Sequence, residues 1–458
     1  MTRPAAPSHA PTDAHARAPS PAPSRRSVLI VADDLSGAAD CAAAFASAGA
    51  RAFVSLEALA SGTLPAGSVV AVDTDSRALP RDEAVDRVRS ALERRPAGAL
   101  VYKKIDSTLR GHLAAELAAA LAAMPEAPGA VLAPAFPQQG RTVAGGRCFV
   151  NGEPLERTAL WRNAGIDEPA DPVARLAAAG LPAIALAPAA PGGEAGLAER
   201  IAGAFAQGAR VAVCDAASPE DLLRLARSIA LLDAAPLLAG SAGFARGLAQ
   251  SGLAEARGER APAAANRTTG PAAPAAADSP GEAAAHRGPV LTVIGSRAPI
   301  ARAQAAAIVA ATAALQLDTP VERLRAESPA TDADDAERAA AIAAALAAGR
   351  DVVLGVGEGQ VDLRHSLAIA RGLARLAAPA ARRAAGLVLT GGDTARAVLD
   401  ALGVTAIEVF GEVEPGVPIA RAANEAGLPL LCLKAGGFGS ENTLLDAVRA
   451  LAARPFRT

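Results

Sequence analysis

Lysine occurs only three times among the 45 basic residues of this 458-residue chain, as Lys103, Lys104 and Lys434. All three lie in its least generic stretches, YKKIDSTLRG (102–111) and LKAGGFGS (433–440). An ammonium is a compact point charge and a guanidinium a planar fork, so the two do not substitute for each other at a tight site. Lysines set beside Asp, Ser, Thr and glycine turns fit the close handling of an anion. In the first stretch an apolar run delivers Lys103, Lys104 and Asp106 to its end. Ser107 and Thr108 open a turn, and Arg110 and Gly111 precede a helical pattern. Cations beside a helix start make an anion site, and the same field should hold Asp106 ionised, as a base acting on a hydroxyl requires. The plainer alternative is a capped helix with its charges in solvent.

The same grammar recurs along the chain. VLIVADDLSGAAD (28–40) is an apolar run, two acids, a glycine and a helical pattern. Asp33 and Asp34 could grip hydroxyls, bind a metal or accept a proton; an N-cap explains one acid but not two. VVAVDTDSR (69–77) ends in Asp73, Asp75 and Arg77, and the arginine could hold a carboxylate through two parallel hydrogen bonds. PAFPQQGR (134–141) adds Gln138, Gln139 and Arg141. In the second half, three apolar runs end in Gly295–Ser296, in Gly391–Gly392–Asp393–Thr394, and in Lys434 followed by Gly436 and Gly437. Each is followed by a helical pattern, so each can form a nest of backbone N–H groups for phosphates. Neither a Walker phosphate loop nor a GxGxxG dinucleotide fingerprint occurs.

The elements that must position these groups alternate apolar runs of strand length with Ala/Leu-rich helical patterns. Strands are expected near 27–32, 51–56, 69–73, 98–103, 130–133, 182–187, 210–214 and 236–240, with helices at 36–48, 81–95, 111–123, 194–207 and 218–231. Residues 142–155, with Gly-Gly and Asn-Gly turns, read as a hairpin excursion. The rhythm restarts at 289–295 and continues at 351–356, 386–390, 405–410 and 428–433. The expectation is an α/β protein: two α/β domains with largely parallel sheets, joined by a flexible linker. Its boundaries are a disordered tail at 1–26, an N-terminal domain at 27–250, the linker at 251–288 and a C-terminal domain at 289–458. The site is expected in the cleft between the domains, closing across the linker.

Composition narrows the function classes. A net charge of −2 offers no basic face for nucleic acid. No apolar run is long enough to span a membrane. Four scattered cysteines fit reduced thiols in a cytoplasmic protein, and the five histidines make no metal-binding spacing.

With these motifs in hand, the chain resembles the four-carbon acid sugar kinase family. The resemblance rests on VADDLSGAAD, DTDSR, KKIDSTLRGHLAAEL, APAFPQQGRTVAGG, GSAGFA (240–245), GSR (295–297), TGGDTA (390–395), GEVEPGVP (411–418) and LKAGGFG, in that order. It implies a sugar-acid-binding N-terminal domain and an ATP-binding C-terminal domain. The implied reaction is transfer from ATP, with Mg2+ on its phosphates, to the 4-hydroxyl of D-threonate or D-erythronate. A 3-oxo-tetronate ranks second as substrate, and a non-catalytic sugar-acid and nucleotide sensor is the rival outside the class. The resemblance makes Asp34, Arg77, Lys104, Asp106 and Ser107 substrate contacts, and Ser296, Gly391 to Thr394 and Gly437 nucleotide contacts. The charge reading adds Lys103, Arg110 and Gly436. Asp106 is the first choice as base and Asp34 the second; Lys103 or Lys104, with Lys434, could offset charge on the transferring group. His112 stands where the family usually has asparagine, residues 159–175 match poorly, and a homodimer is left open.

Overall fold

A computed structural model describes residues 26–57, 67–253, 288–325, 329–359, 365–425 and 427–453. The expected tail falls outside them except for Arg26, and so does the linker except for residues 251–253 and Gly288.

Among the described residues, 15 strands form one sheet. Its N-terminal half runs Ala52–Ser55, Val69–Asp73, Val28–Ala32, Leu100–Lys104, Leu237–Gly240, Ala130–Ala133, Val211–Cys214 and Ala183–Leu186, all parallel. The strand Val28–Ala32 is buried along its whole length, as expected of a central parallel strand covered by helices on both faces. The C-terminal half has a parallel core of Leu315–Thr319, Val352–Val356, Val290–Ile294, Gly386–Thr390 and Leu430–Lys434. Beyond it, Pro418–Ala422 and Ala406–Glu412 turn antiparallel. The last of these pairs antiparallel with Ala52–Ser55, so the halves meet edge to edge and share a sheet. This pairing satisfies the backbone groups that each half would otherwise expose at an open edge.

The predicted strands and helices of the first half form close to their expected bounds, and the hairpin appears as Arg141–Ala144 and Arg147–Val150. Sequence reading missed the short strands Leu315–Thr319 and Pro418–Ala422. Leu315–Thr319 is the outermost strand of the sheet, and Pro418 argues against a strand except at its first residue, where it is found.

Side chains also cross between the halves. Arg246 of the helix Ala242–Gln250 grips Glu412 through two hydrogen bonds, at 2.6 and 2.9 Å. Arg396 of the helix Gly392–Ala401 donates to Asp73 Oδ2 at 3.0 Å. Burial, opposed by Arg396, pushes the Asp73 carboxyl up to about 7. The folded protein therefore binds that proton more tightly than the unfolded chain, and the cost of ionising Asp73 sets in as pH rises from 3.8 to about 7. Arg396→Ala should lower unfolding free energy by roughly 2–4 kcal/mol at pH 8, where Asp73 is charged, and by clearly less at pH 5, where it is neutral. Denaturant melts at the two pH values check this.

Candidate functional site

The C-terminal ends of the strands bring the charged motifs to one cleft between the halves. Its wall includes Asp34, Ser36, Asp40, Arg77, Lys104, Asp106, Ser107 and Arg110 from the first half, and Gly416, Pro418 and Lys434 from the second. Ligands of open α/β sheets bind at such strand ends.

The two adjacent aspartates divide their work. Asp33 is buried and paired with Arg77 at 2.7 and 2.9 Å. Burial works to raise its pKa, but Arg77, Lys103 and Lys104 outweigh it and hold the carboxyl below the ordinary range. Asp34 caps the helix Leu35–Ser47: its Oδ1 accepts from the Gly37 N–H at 3.0 Å and from Arg77 at 2.8 Å. Its Oδ2 faces the second half, where a methyl group added to Gly392 would lie 3.1 Å away. The same methyl would lie 3.4 Å from Ser36 Oγ, which is buried and, among the described residues, has no hydrogen-bond partner.

The strand Leu100–Lys104 sends its two lysines to different places, because successive side chains leave a strand on opposite faces. Lys103 is not brought to the cleft; it forms a buried ion pair with Glu116 at 2.9 Å, and Ser76 donates to the same carboxylate. Lys104 lines the cleft and donates to the Ile105 carbonyl at 2.7 Å, leaving further N–H groups for a ligand. Asp106 is heavily engaged, mostly through Oδ2. Thr108 Oγ1 donates to it at 2.5 Å, and Arg110 makes two bonds of 2.8 Å. Burial would raise its pKa, yet Arg110, Arg77 and Lys104 hold it well below the carboxylate range. Ser107 lines the cleft beside it.

Sequence reading overlooked what fixes this loop. Arg175 donates to the Leu109 and Gly111 carbonyls, so the helix Pro172–Ala178, which begins in the poorly matching segment 159–175, buttresses it. His112 turns away from the cleft and meets the Leu79 carbonyl at 2.7 Å.

On the opposite side, Gly391 takes a left-handed φ of +99° as the N-cap of the helix Gly392–Ala401. Its turn stands against the two other glycine turns: a methyl on Gly295 would collide with Thr394, and one on Gly436 would lie 2.8 Å from Ser296 Cβ. Ser296, Gly391, Thr394 and Gly436 therefore form one cluster. Asp393 is exposed at the first turn of its helix, and Gly437 has open space around it. Lys434 donates to the carbonyls of Ala435 and Phe438 at 2.7 and 2.9 Å, and Gln304 donates to those of Phe438 and Ser440. Burial pulls the Lys434 pKa down to about 8. Lys434 thus fastens the glycine loop from the cleft wall. Gln138, Gln139 and Arg141 line an adjoining pocket together with Gly437 and Ser440.

Among the described residues, no group of three or more His, Cys, Asp or Glu side chains could hold a metal ion, and no helix is long and apolar enough to cross a membrane. Against known proteins, residues 28–248 match the model of a sugar-binding N-terminal domain, and residues 291–444 that of a nucleotide-binding C-terminal domain. A D-threonate kinase of Cupriavidus necator is 42% identical over 92% of this chain and 97% of its own length. A 3-oxo-tetronate kinase of Methylobacterium radiotolerans is 33% identical over 92% of this chain and 98% of its own. The crystal structure of a Salmonella typhimurium LT2 protein shares the fold, with a TM-score of 0.72 at 23% identity, over 93% of this chain and 99% of that one.

Proposed function

The chain belongs to the four-carbon acid sugar kinase family, and from that premise we propose that it transfers the γ-phosphoryl group of ATP to the 4-hydroxyl of a tetronate, D-threonate first. One observation carries the reading: Asp34 Oδ2 and the Ser36 hydroxyl, which is unpartnered among the described residues, face the Gly391–Gly392 turn at a helix start. A base thus stands opposite a phosphate nest, the arrangement that in-line transfer between two substrates needs. The higher identity to the D-threonate kinase than to the 3-oxo-tetronate kinase supports the choice of acid.

The nucleotide phosphates would lie over Gly391, Gly392 and Thr394, with Ser296, Gly436 and Gly437 completing the cradle and Asp393 at its rim. The close apposition of these turns, with room left around Gly437, fits a polyphosphate chain. Mg2+ carried on the phosphates would neutralise charge on the transferring group. No protein cage is needed for it, since such an ion is commonly held by one or two carboxylates and the phosphates themselves.

In the first half, Arg77 and Arg110 would hold the acid's carboxylate through the nitrogens not committed to Asp33, Asp34 and Asp106. Asp106, engaged by Thr108 and Arg110 and held ionised, would position those two residues; a carboxylate that binds its proton so weakly makes a poor acceptor. Asp34 would take the proton of the 4-hydroxyl through Oδ2, while its Oδ1 stays anchored to the helix start. Lys104 would offset charge as the phosphoryl group moves across. Lys103 has no part in this scheme. A coupled ADP-release screen across D-threonate, D- and L-erythronate and 3-oxo-tetronates tests it: the expected result is ATP consumption that depends on a tetronate and is fastest with D-threonate. No ADP with any of these acids would refute the reading.

A further inference from the structure

The helix Leu35–Ser47 brings a second carboxylate to the cleft. Asp40 lies one turn beyond Ser36 on the same helical face and forms part of the cleft wall. Its Oδ1 is sealed from solvent and, among the described residues, has no hydrogen-bond partner. Arg246 stands 3.8 Å from that oxygen, but its guanidinium is already engaged by Glu412. Burial, opposed by Arg246 and Lys104 and reinforced by Glu412 and Asp34, pushes the Asp40 carboxyl up to about 7. Buried polar atoms are nearly always hydrogen-bonded, and an orphaned one destabilises the fold. What Asp40 lacks is a donor; Oδ1 itself is closed off, but the side chain keeps 13% of its surface exposed and lines the cleft, where a polyol can meet the carboxyl group.

We propose that Asp40 accepts a hydrogen bond from a secondary hydroxyl of the sugar acid and thereby selects acids that carry a hydroxyl at that carbon. This rests on the kinase reading and adds a specificity residue to it. The chemistry separates close analogues. In the ionised form the carboxylate accepts from a hydroxyl, whereas a methylene at the same carbon leaves it orphaned. One hydrogen bond to a charged group corresponds to a discrimination of about 10–100-fold.

The test compares kcat/KM of the full-length protein for its preferred tetronate and for two deoxy acids, 2,4-dihydroxybutanoate and 3,4-dihydroxybutanoate, in wild type, Asp40→Ala and Asp40→Asn. Wild type should disfavour one of the deoxy acids by about 10–100-fold. Asp40→Ala should erase most of that preference by lowering kcat/KM for the tetronate alone, leaving that deoxy acid within about threefold. Asp40→Asn, which keeps an acceptor oxygen, should recover part of the preference, and it carries the test if the alanine variant does not fold. Equal loss for all three acids would make Asp40 a support of the Arg246–Glu412 contact and overturn the proposal, as would no change for any. If wild type forms no ADP with any tetronate, the kinase reading falls and this inference with it; if it does and the variants do not discriminate, only the inference falls.

Discussion

Asp34→Asn should lower kcat about 10²–10⁴-fold, the usual contribution of a general base, while KM for ATP stays near the wild-type value. Asparagine is nearly the same shape and caps helices as well as aspartate does, so Oδ1 can still accept from the Gly37 N–H and the helix Leu35–Ser47 keeps its start. What is lost is the basic oxygen facing Gly392. Asp106→Asn supplies the contrast. Its carboxylate is spent on Thr108 and Arg110, so the substitution should raise KM for the acid more than it lowers kcat. Steady-state kinetics with each substrate varied at saturation of the other separate the two. Near-normal turnover in Asp34→Asn together with collapse in Asp106→Asn would return the base to Asp106.

Gly436→Val should raise KM for ATP about tenfold or more and leave KM for the sugar acid within about twofold. A side chain at this position must begin 2.8 Å from Ser296 Cβ and 3.0 Å from Ser296 Oγ, closer than real side chains pack. The loop behind it cannot retreat easily, because Lys434 and Gln304 fasten its carbonyls. The glycine turns would then be pushed apart and the phosphate cradle would lose its shape. The acid pocket, built from strand ends of the other half, would be little disturbed. A rise confined to KM for the acid would contradict the assignment of the nucleotide to this half.

Much of this site could be read from the chain because each motif couples a strand, a turn and a helix start within a few residues. The fall from apolar run to Asp33–Asp34 to glycine sufficed to place a carboxylate at a helix N-terminus. It could not tell the two acids apart, since that division depends on Arg77, which is distant in sequence. Lys103 and Lys104 present the same difficulty with a signal that was available: adjacent strand residues point to opposite faces, so at most one of the pair could reach a given cleft. Deciding which required Glu116 on the next helix. Asp40 was also within reach, as it repeats the position of Ser36 one turn on, but an acid in an alanine-rich helix reads as a solvent face. The merging of both halves into one sheet was beyond sequence reading. It depends on the pairing of Ala52–Ser55 with Ala406–Glu412, strands hundreds of residues apart with no local pattern to match them. The interdomain contacts of Arg396 and Arg246 follow from that pairing and were hidden with it.

The most direct measurement is a crystal structure of the protein with D-threonate and a non-hydrolysable ATP analogue bound together. The triphosphate should lie over Gly391–Thr394 and Gly436–Gly437, with the acid's 4-hydroxyl beside Asp34 and about 3–3.5 Å from the terminal phosphorus. A nucleotide bound away from the Gly391–Gly392 turn, or an acid whose 4-hydroxyl points away from Asp34, would contradict this arrangement.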